Sequence, residues 1–259
     1  MLDFWMSPAA GPNPLVMVIH GGGWQGGSKE RLHRFVDVTA LLDAGVSVAA
    51  INYRLMRHAE DVTPPVKAPL MDAARALQFL RLNAERFEID PNRIGAAGGS
   101  AGACSSLWLA FHDDLADPSN PDPVLRQSTR LACAAGLGAQ TTLDPKQMVE
   151  WTPNSVYGGH AFGKKDFAQF LADRESLRPW IAEYSPYALV SPGDPPVGVF
   201  YNKPPAIGRR QKDPTHTSNF GAMLKERCDA VGVSCDVVYR GAGPEAMSDY
   251  LIATLTDSE

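Results

Sequence analysis

The chain has 259 residues, of which 44% are hydrophobic and 20% charged, with a formal net charge of -5. That length can bury one sizeable core as a single domain. The acidic balance, with no basic block, excludes a nucleic-acid surface, which relies on concentrated Lys and Arg. Apolar runs such as Leu15 to Ile19 are too short for a membrane span.

Leu2-Asp3-Phe4-Trp5 reads as a short strand, without the charged n-region and apolar h-region of a signal peptide. As it stands the sequence reads as cytoplasmic; a leader removed in processing would make it secreted or periplasmic. Leu15 to His20 is continuously apolar, as a strand buried on both faces should be. Lys29 to Ala44 repeats apolar residues at helical spacing and stops at Gly45. Val46 to Tyr53 is the next strand, and Asp72 to Asn83 an amphipathic helix with Ala73, Ala76, Leu77 and Leu80 on one stripe. Arg93 to Gly98 is a strand, with the helix Ala101 to Phe111 behind it.

Asp113 to Thr129, rich in Asp, Pro, Asn and Ser, is loop. Leu131 to Gly138 is a strand, and residues 139–192 read as a lid-like insertion with two or three short helices. Val197 to Tyr201 and Asp236 to Tyr239 supply the last strands, with helices near Asn219 to Val231 and Glu245 to Leu255. Strands alternating with helices are the signature of parallel βαβ units, so the fold class is α/β with a mainly parallel sheet.

Two glycine-rich segments carry the chemistry. Gly98-Gly99-Ser100-Ala101-Gly102 closes a strand and opens a helix, a turn tight enough to push Ser100 out at the carboxyl edge of a sheet. A serine hydroxyl is a poor nucleophile and needs exposure, a base and donors for the negative charge that develops. The Ala101 N–H, first in the helix, points toward that charge. His20-Gly21-Gly22-Gly23-Trp24 closes the earlier strand, and the N–H groups of Gly22 and Gly23 are the natural partners of Ala101 in an oxyanion hole. His20 itself reads as a hydrogen-bonded structural residue. Other glycine-rich readings fail: Gly26-Gly27-Ser28-Lys29 has Ser and Lys in the wrong order for a P-loop, and no Gly-x-Gly-x-x-Gly opens a helix.

The pair HGGGW and GGSAG, with Asn52-Tyr53-Arg54-Leu55 after the intervening strand, resembles bacterial α/β-hydrolase-fold esterases of the hormone-sensitive-lipase type and the related acetylxylan and feruloyl esterases. The resemblance spans nearly the whole chain. It implies Ser100 as nucleophile, Gly22, Gly23 and Ala101 as oxyanion donors, and the chain order Ser, acid, His. It also implies that the acid lies on the loop after the penultimate strand, which selects Asp213; the other reading of Asp213 is an acid at a helix N-terminus. Asp194, in Pro-Gly-Asp-Pro, reads as a turn residue.

The base departs from the pattern. The resemblance puts a histidine just after the last strand, where this chain has Gly241-Ala242-Gly243-Pro244-Glu245, and no histidine follows His216. Glu245 is too weak a base toward a serine hydroxyl, an ordinary glutamate having a pKa of about 4.3. His33 and His58 read as solvated, His112 lies on the far side of the helix behind Ser100, and His160 belongs to the insertion, where it is placed to line a pocket. His216 alone sits in a loop that should face the site, three residues after Asp213. It reads either as the base or as a surface residue capping the acid.

Two functions remain. One is hydrolysis of short-chain acyl esters, of small molecules or carbohydrates, through an acyl-enzyme on Ser100, with no metal or cofactor. The other is a catalytically impaired protein that binds its ligand in the same cleft. The four cysteines, Cys104, Cys133, Cys228 and Cys235, show no metal-ligand spacing and read as free buried thiols, with a Cys228–Cys235 bridge as the alternative.

Overall fold

The computed structural model describes residues 1–256. Its strands are β1 (Leu2–Trp5), β2 (Asn13–Ile19), β3 (Ser47–Ile51), β4 (Ile89–Gly99), β5 (Cys133–Leu137), β6 (Val197–Phe200) and β7 (Cys235–Val238). Its helices are α1 (Val38–Asp43), α2 (Lys67–Leu82), α3 (Ala101–Phe111), α4 (Pro145–Trp151), α5 (Phe167–Ala172), α6 (Arg174–Tyr184), α7 (Pro186–Leu189), α8 (Asn219–Asp229) and α9 (Pro244–Thr256). One sheet runs in the order β1-β3-β2-β4-β5-β6-β7. Only the β1–β3 pairing is antiparallel; the remaining pairings are parallel, as the sequence pattern requires.

Every residue of β2 is buried, because a central parallel strand has helices over both faces. Its side chains alternate between two cores. Leu15, Met17 and Ile19 pack with Leu77 of α2, Leu107 of α3 and Leu224 of α8, whereas Val16 and Val18 pack with Leu41 of α1 and Leu251 of α9. Truncating such a leucine to alanine costs about 2–5 kcal/mol. The same sandwich leaves the carboxyl ends of β2, β4, β5 and β6 side by side at one edge, where α/β sheets bind their ligands.

Several boundaries differ from expectation for local reasons. The helix expected over Lys29–Ala44 is two pieces, a 3₁₀ turn at Lys29–Arg34 and then α1. Asp37 breaks it: its carboxylate accepts the Ala40 N–H at 3.1 Å, so it caps a new helix instead of continuing the old one. α2 starts at Lys67, five residues earlier than Asp72, because Pro69 falls in the first turn, where no N–H is missed. The segment 139–192 holds four α-helices, α4 to α7, and a 3₁₀ turn at Gly159–Phe162, more than the two or three expected. It packs firmly: Phe162, Phe170, Leu177 and Tyr184 join the core of α2 and α3, and Trp108 Nε1 donates to the Glu183 carbonyl at 3.0 Å. Asp144 caps α4 and takes a two-pronged ion pair from Arg174, at 2.7 Å on each oxygen, which ties α6 to α4.

Candidate active site

Ser100 sits between β4 and α3 with φ 53° and ψ -119°, a conformation that L-residues rarely adopt. The packing enforces it. A Cβ on Gly102 would lie 2.0 Å from the Ile19 carbonyl oxygen, so only glycine lets the start of α3 press this closely on β2. The Ser100 N–H donates to the Leu137 carbonyl at 2.9 Å, fixing the turn to β5. Its side chain is left half-buried at the sheet edge, and the Ala101 N–H, opening the helix, has no partner within it.

The glycine loop after β2 is held from several sides. Trp24 is fully buried; its Nε1 donates to Ser105 Oγ on α3 at 3.0 Å and its carbonyl accepts the Met56 N–H at 2.9 Å. His20 is 2% exposed, stacks on Tyr53 at 4.1 Å and donates from Nδ1 to the Gly21 carbonyl at 2.8 Å, a structural arrangement. Burial pushes its pKa down. The Asn52-Tyr53-Arg54 phrase supports the same loop: Asn52 accepts the Lys29 N–H at 2.7 Å, Tyr53 donates to the His20 carbonyl at 2.9 Å, and Arg54 grips Asp72 of α2. Gly23, at φ 61°, is pressed by the insertion. A Cβ there would lie 2.2 Å from the Tyr157 hydroxyl and 3.5 Å from His160 Nε2.

On the opposite side, the chain between β6 and α8 carries Asp213 and His216. His216 Nε2 is 3.0 Å from Ser100 Oγ, and His216 Nδ1 is 2.9 Å from Asp213 Oδ2. With Nδ1–H donating to the carboxylate, Nε2 accepts the serine hydroxyl proton. Asp213 Oδ1 also accepts the Thr215 and His216 N–H groups at 3.1 and 3.2 Å. Burial raises the Asp213 pKa, but the hydrogen bond and charge of His216, with the two N–H groups, outweigh it and hold the carboxyl below its usual range. Gly138, just after β5, turns the chain at φ 57°, a left-handed conformation that favours glycine, and lies against the His216 ring.

Although no histidine follows β7, an imidazole thus stands beside Ser100, that of His216. Gly243 and Pro244 line a cavity together with His216 and Asp213, so a histidine from the β6–α8 loop reaches the region that the β7–α9 loop would have served. A second cavity of about 430 Å³ holds Ser100, His216, Gly21 and Gly22; none of its lining comes from residues 139–192. The insertion reaches the glycine loop through Tyr157 and His160, behind Gly23.

The remaining candidates lie elsewhere. His160 lines a separate cavity with Gln25 and Met56, its Nε2 buried without a hydrogen-bond partner and its pKa lowered by burial. His112 packs on Trp108 and pairs with Glu183 at 3.1 Å, and His33 and His58 are exposed. Asp194 accepts the Ser191 N–H at 2.7 Å in a turn, and Glu245 is exposed in the first turn of α9. All four cysteines are free and buried, so Cys228 and Cys235 are not bridged. Sequence reasoning missed Gly138, Tyr157 and Asn202, which line or press on the site without a motif; only the tight spacing of Gly138 after a strand carried a signal.

The sequence model of the BD-FAE family matches residues 2–204. Gut esterase 1 of Caenorhabditis elegans is 33% identical over 171 residues, covering 64% of this chain and 30% of that protein. Carboxylesterase NlhH of Mycobacterium tuberculosis is 26% identical over 245 residues, covering 90% of this chain and 66% of that protein. The chain thus spans less than two thirds of the length of either relative. The crystal structure of an acetyl ester-xyloside bifunctional hydrolase from Caldicellulosiruptor lactoaceticus superposes with a TM-score of 0.69 at 22% identity, covering 93% of this chain and 77% of that one. The fold is that of the α/β-hydrolase esterases.

Proposed function

The chain belongs to the BD-FAE family, and on that footing we propose that it is a serine carboxylesterase acting on short-chain acyl esters, with Ser100 as nucleophile, His216 as base and Asp213 as the orienting acid. The observation that carries the reading is the line Ser100 Oγ, His216 Nε2, His216 Nδ1, Asp213 Oδ2, with gaps of 3.0 and 2.9 Å.

Ser100 Oγ attacks the ester carbonyl carbon as His216 Nε2 takes the hydroxyl proton. The carbonyl oxygen gains the negative charge and turns toward the N–H groups of Ala101, Gly22 and Gly23. The tetrahedral species collapses, His216 gives its proton to the departing alkoxide, and the acyl group stays on Ser100. Water then repeats the sequence, with His216 again as base, and releases the carboxylic acid. Asp213 keeps the ring in the tautomer the first step needs and stabilises the imidazolium that forms. The insertion 139–192 acts in this reading as a buttress behind Gly23 through Tyr157, whose phenol burial keeps protonated with a pKa of about 12.

The impaired, binding-only alternative drew its support from the missing histidine, and the imidazole beside Ser100 removes that ground. A fluorophosphonate or phosphonate ester tests the proposal, because a hydroxyl paired with an imidazole beside N–H donors reacts covalently. The parent should be labelled on the peptide containing Ser100, and Ser100→Ala should not be labelled. An unlabelled parent, or labelling that persists in the alanine variant, would sink it.

A further inference from the structure

We infer that the preferred ester carries a carboxylate on its alcohol portion, held by Arg34 with Lys203 and Lys212. The inference rests on the esterase reading and adds the class of substrate. Its ground is a local reversal of charge. The chain as a whole has 29 acidic and 24 basic residues, yet the two cavities that meet at His216 are lined by Arg31, Arg34, Lys203 and Lys212 against a single acid, Asp213. Both oxygens of that acid are already engaged, by the His216 ring and by two backbone N–H groups.

None of the four cations forms an ion pair among the described residues. Some arginines elsewhere do pair with carboxylates, Arg54 with Asp72, Arg93 with Asp90 and Arg174 with Asp144 among them, so what sets these four apart is that they gather around one concave surface. Cations left unpaired around a concave surface focus a positive field into it and draw in an anion. The cations also come from distant segments, the 3₁₀ turn before α1 and the loop after β6, which only the fold brings together.

The geometry assigns the side. The acyl carbon is bonded to Ser100 and its oxygen lies toward Gly22, in the smaller cavity. The leaving oxygen must face His216, which protonates it, and beyond His216 opens the wider cavity of about 730 Å³, lined by Arg34, Lys203, Lys212 and Pro244 but not by Ser100 or the glycine loop. That space suits a ring-sized alcohol such as a sugar acid or a hydroxy acid. Arg34 lines both cavities, and its planar fork matches a carboxylate two-to-two, while the lysines add point charge.

The experiment compares two acetyl esters that differ only in charge on the leaving group, 4-acetoxybenzoate and 4-acetoxybenzamide, each kcat/KM divided by the ester's own rate constant with hydroxide. At about 20 mM salt the acid should be preferred by roughly tenfold, and the preference should shrink toward unity by about 0.5 M salt as the field is screened. Arg34→Gln should cut the acid-to-amide ratio about fivefold, and Lys203→Gln by less, as expected for exposed charges. A parent ratio at or below one, a ratio unmoved by Arg34→Gln, or a preference found only with 4-nitrophenyl hemisuccinate over the butyrate, which would move the anion to the acyl side, overturns the inference. Calorimetric binding of both acetyl esters to Ser100→Ala separates it from the esterase reading. A binding preference for the acid without serine-dependent hydrolysis would sink that reading and leave the anion site standing; equal binding would sink the site.

Discussion

In the proposed triad, replacing His216 by alanine removes the one side-chain proton acceptor that Ser100 Oγ has among the described residues. The Oγ loses a partner at 3.0 Å, and no other imidazole lines either of the two cavities that meet there. His20, though near in sequence to the glycine loop, is 2% exposed and committed to the Gly21 carbonyl and the Tyr53 ring. Loss of the base from a serine triad costs up to ~10⁶ in kcat, with the oxyanion donors and binding still giving ~10³–10⁴ over water. A fall of at least about 10⁴ is expected here, which at 1.36 kcal/mol per decade corresponds to roughly 5.4 kcal/mol of transition-state stabilisation. The fold should survive, since the His216 side chain is 41% exposed and carries no core packing. The assay is kcat for 4-nitrophenyl acetate, with circular dichroism as the check on folding. Pro244→His supplies the control: with His216 already serving the shared cavity, an imidazole added there should not raise the parent's kcat. A loss below tenfold in His216→Ala, or a gain in Pro244→His, would refute the assignment.

Acetyl and butyryl esters should outrank decanoyl ones in kcat/KM, because the cavity at Ser100 is small, about 430 Å³, and none of its lining comes from the insertion; each further buried methylene would gain only about 0.8 kcal/mol where a pocket exists. A clear optimum at decanoyl or longer would contradict this. Stability should fall with acid: burial lowers the pKa values of His20 and His160, so the unfolded chain, with ordinary values of about 6.5, takes up protons that the native state refuses once the pH drops below that point. Urea midpoints should therefore decline between pH 7.5 and 5.5, and His160→Gln should flatten part of the decline; a profile level in the parent would refute the linkage.

The sheet was legible because its central strands β2, β3 and β5 are buried nearly throughout and so appear as unbroken apolar runs, and the two glycine motifs because they close such runs. What the sequence concealed was geometry that depends on paths through space. The break at Asp37 hides inside a helical spacing, since Phe35, Val36 and Leu41 keep the period while the carboxylate restarts the helix. Asp213 follows only from the resemblance, which puts the acid on the loop after the penultimate strand. His216 could be named but not placed, because three residues of separation from an acid do not say where a loop of irregular structure ends up. The fold-level pattern expected the histidine after β7; the same cavity is lined by Pro244 there and filled from the neighbouring loop instead.

In the proposed triad the acid and the base stand three residues apart on one loop, which changes what must be held rigid. One carboxylate, Asp213, both closes the turn through two N–H groups and orients the ring, so the acid–base pair is encoded locally. Its distance from Ser100 is not: it depends on how the long stretch from Tyr201 to Ser218 is anchored. Its anchors include three made by side chains. Tyr201 donates its hydroxyl to the Ala139 carbonyl at 2.8 Å, Asn219 donates to the Trp151 carbonyl and Thr152 Oγ1 at 2.8 and 2.9 Å, and Asn154 exchanges two hydrogen bonds of 2.9 Å with the backbone of Gln211. All three partners belong to the insertion, and Tyr157, three residues past Asn154, presses on Gly23 from the same segment. One short stretch, Trp151 to Tyr157, therefore touches both the loop that carries His216 and the glycine loop after β2. A site that needs its groups within about 0.5 Å gains from such a shared support, because a shift of the stretch moves both loops together rather than apart.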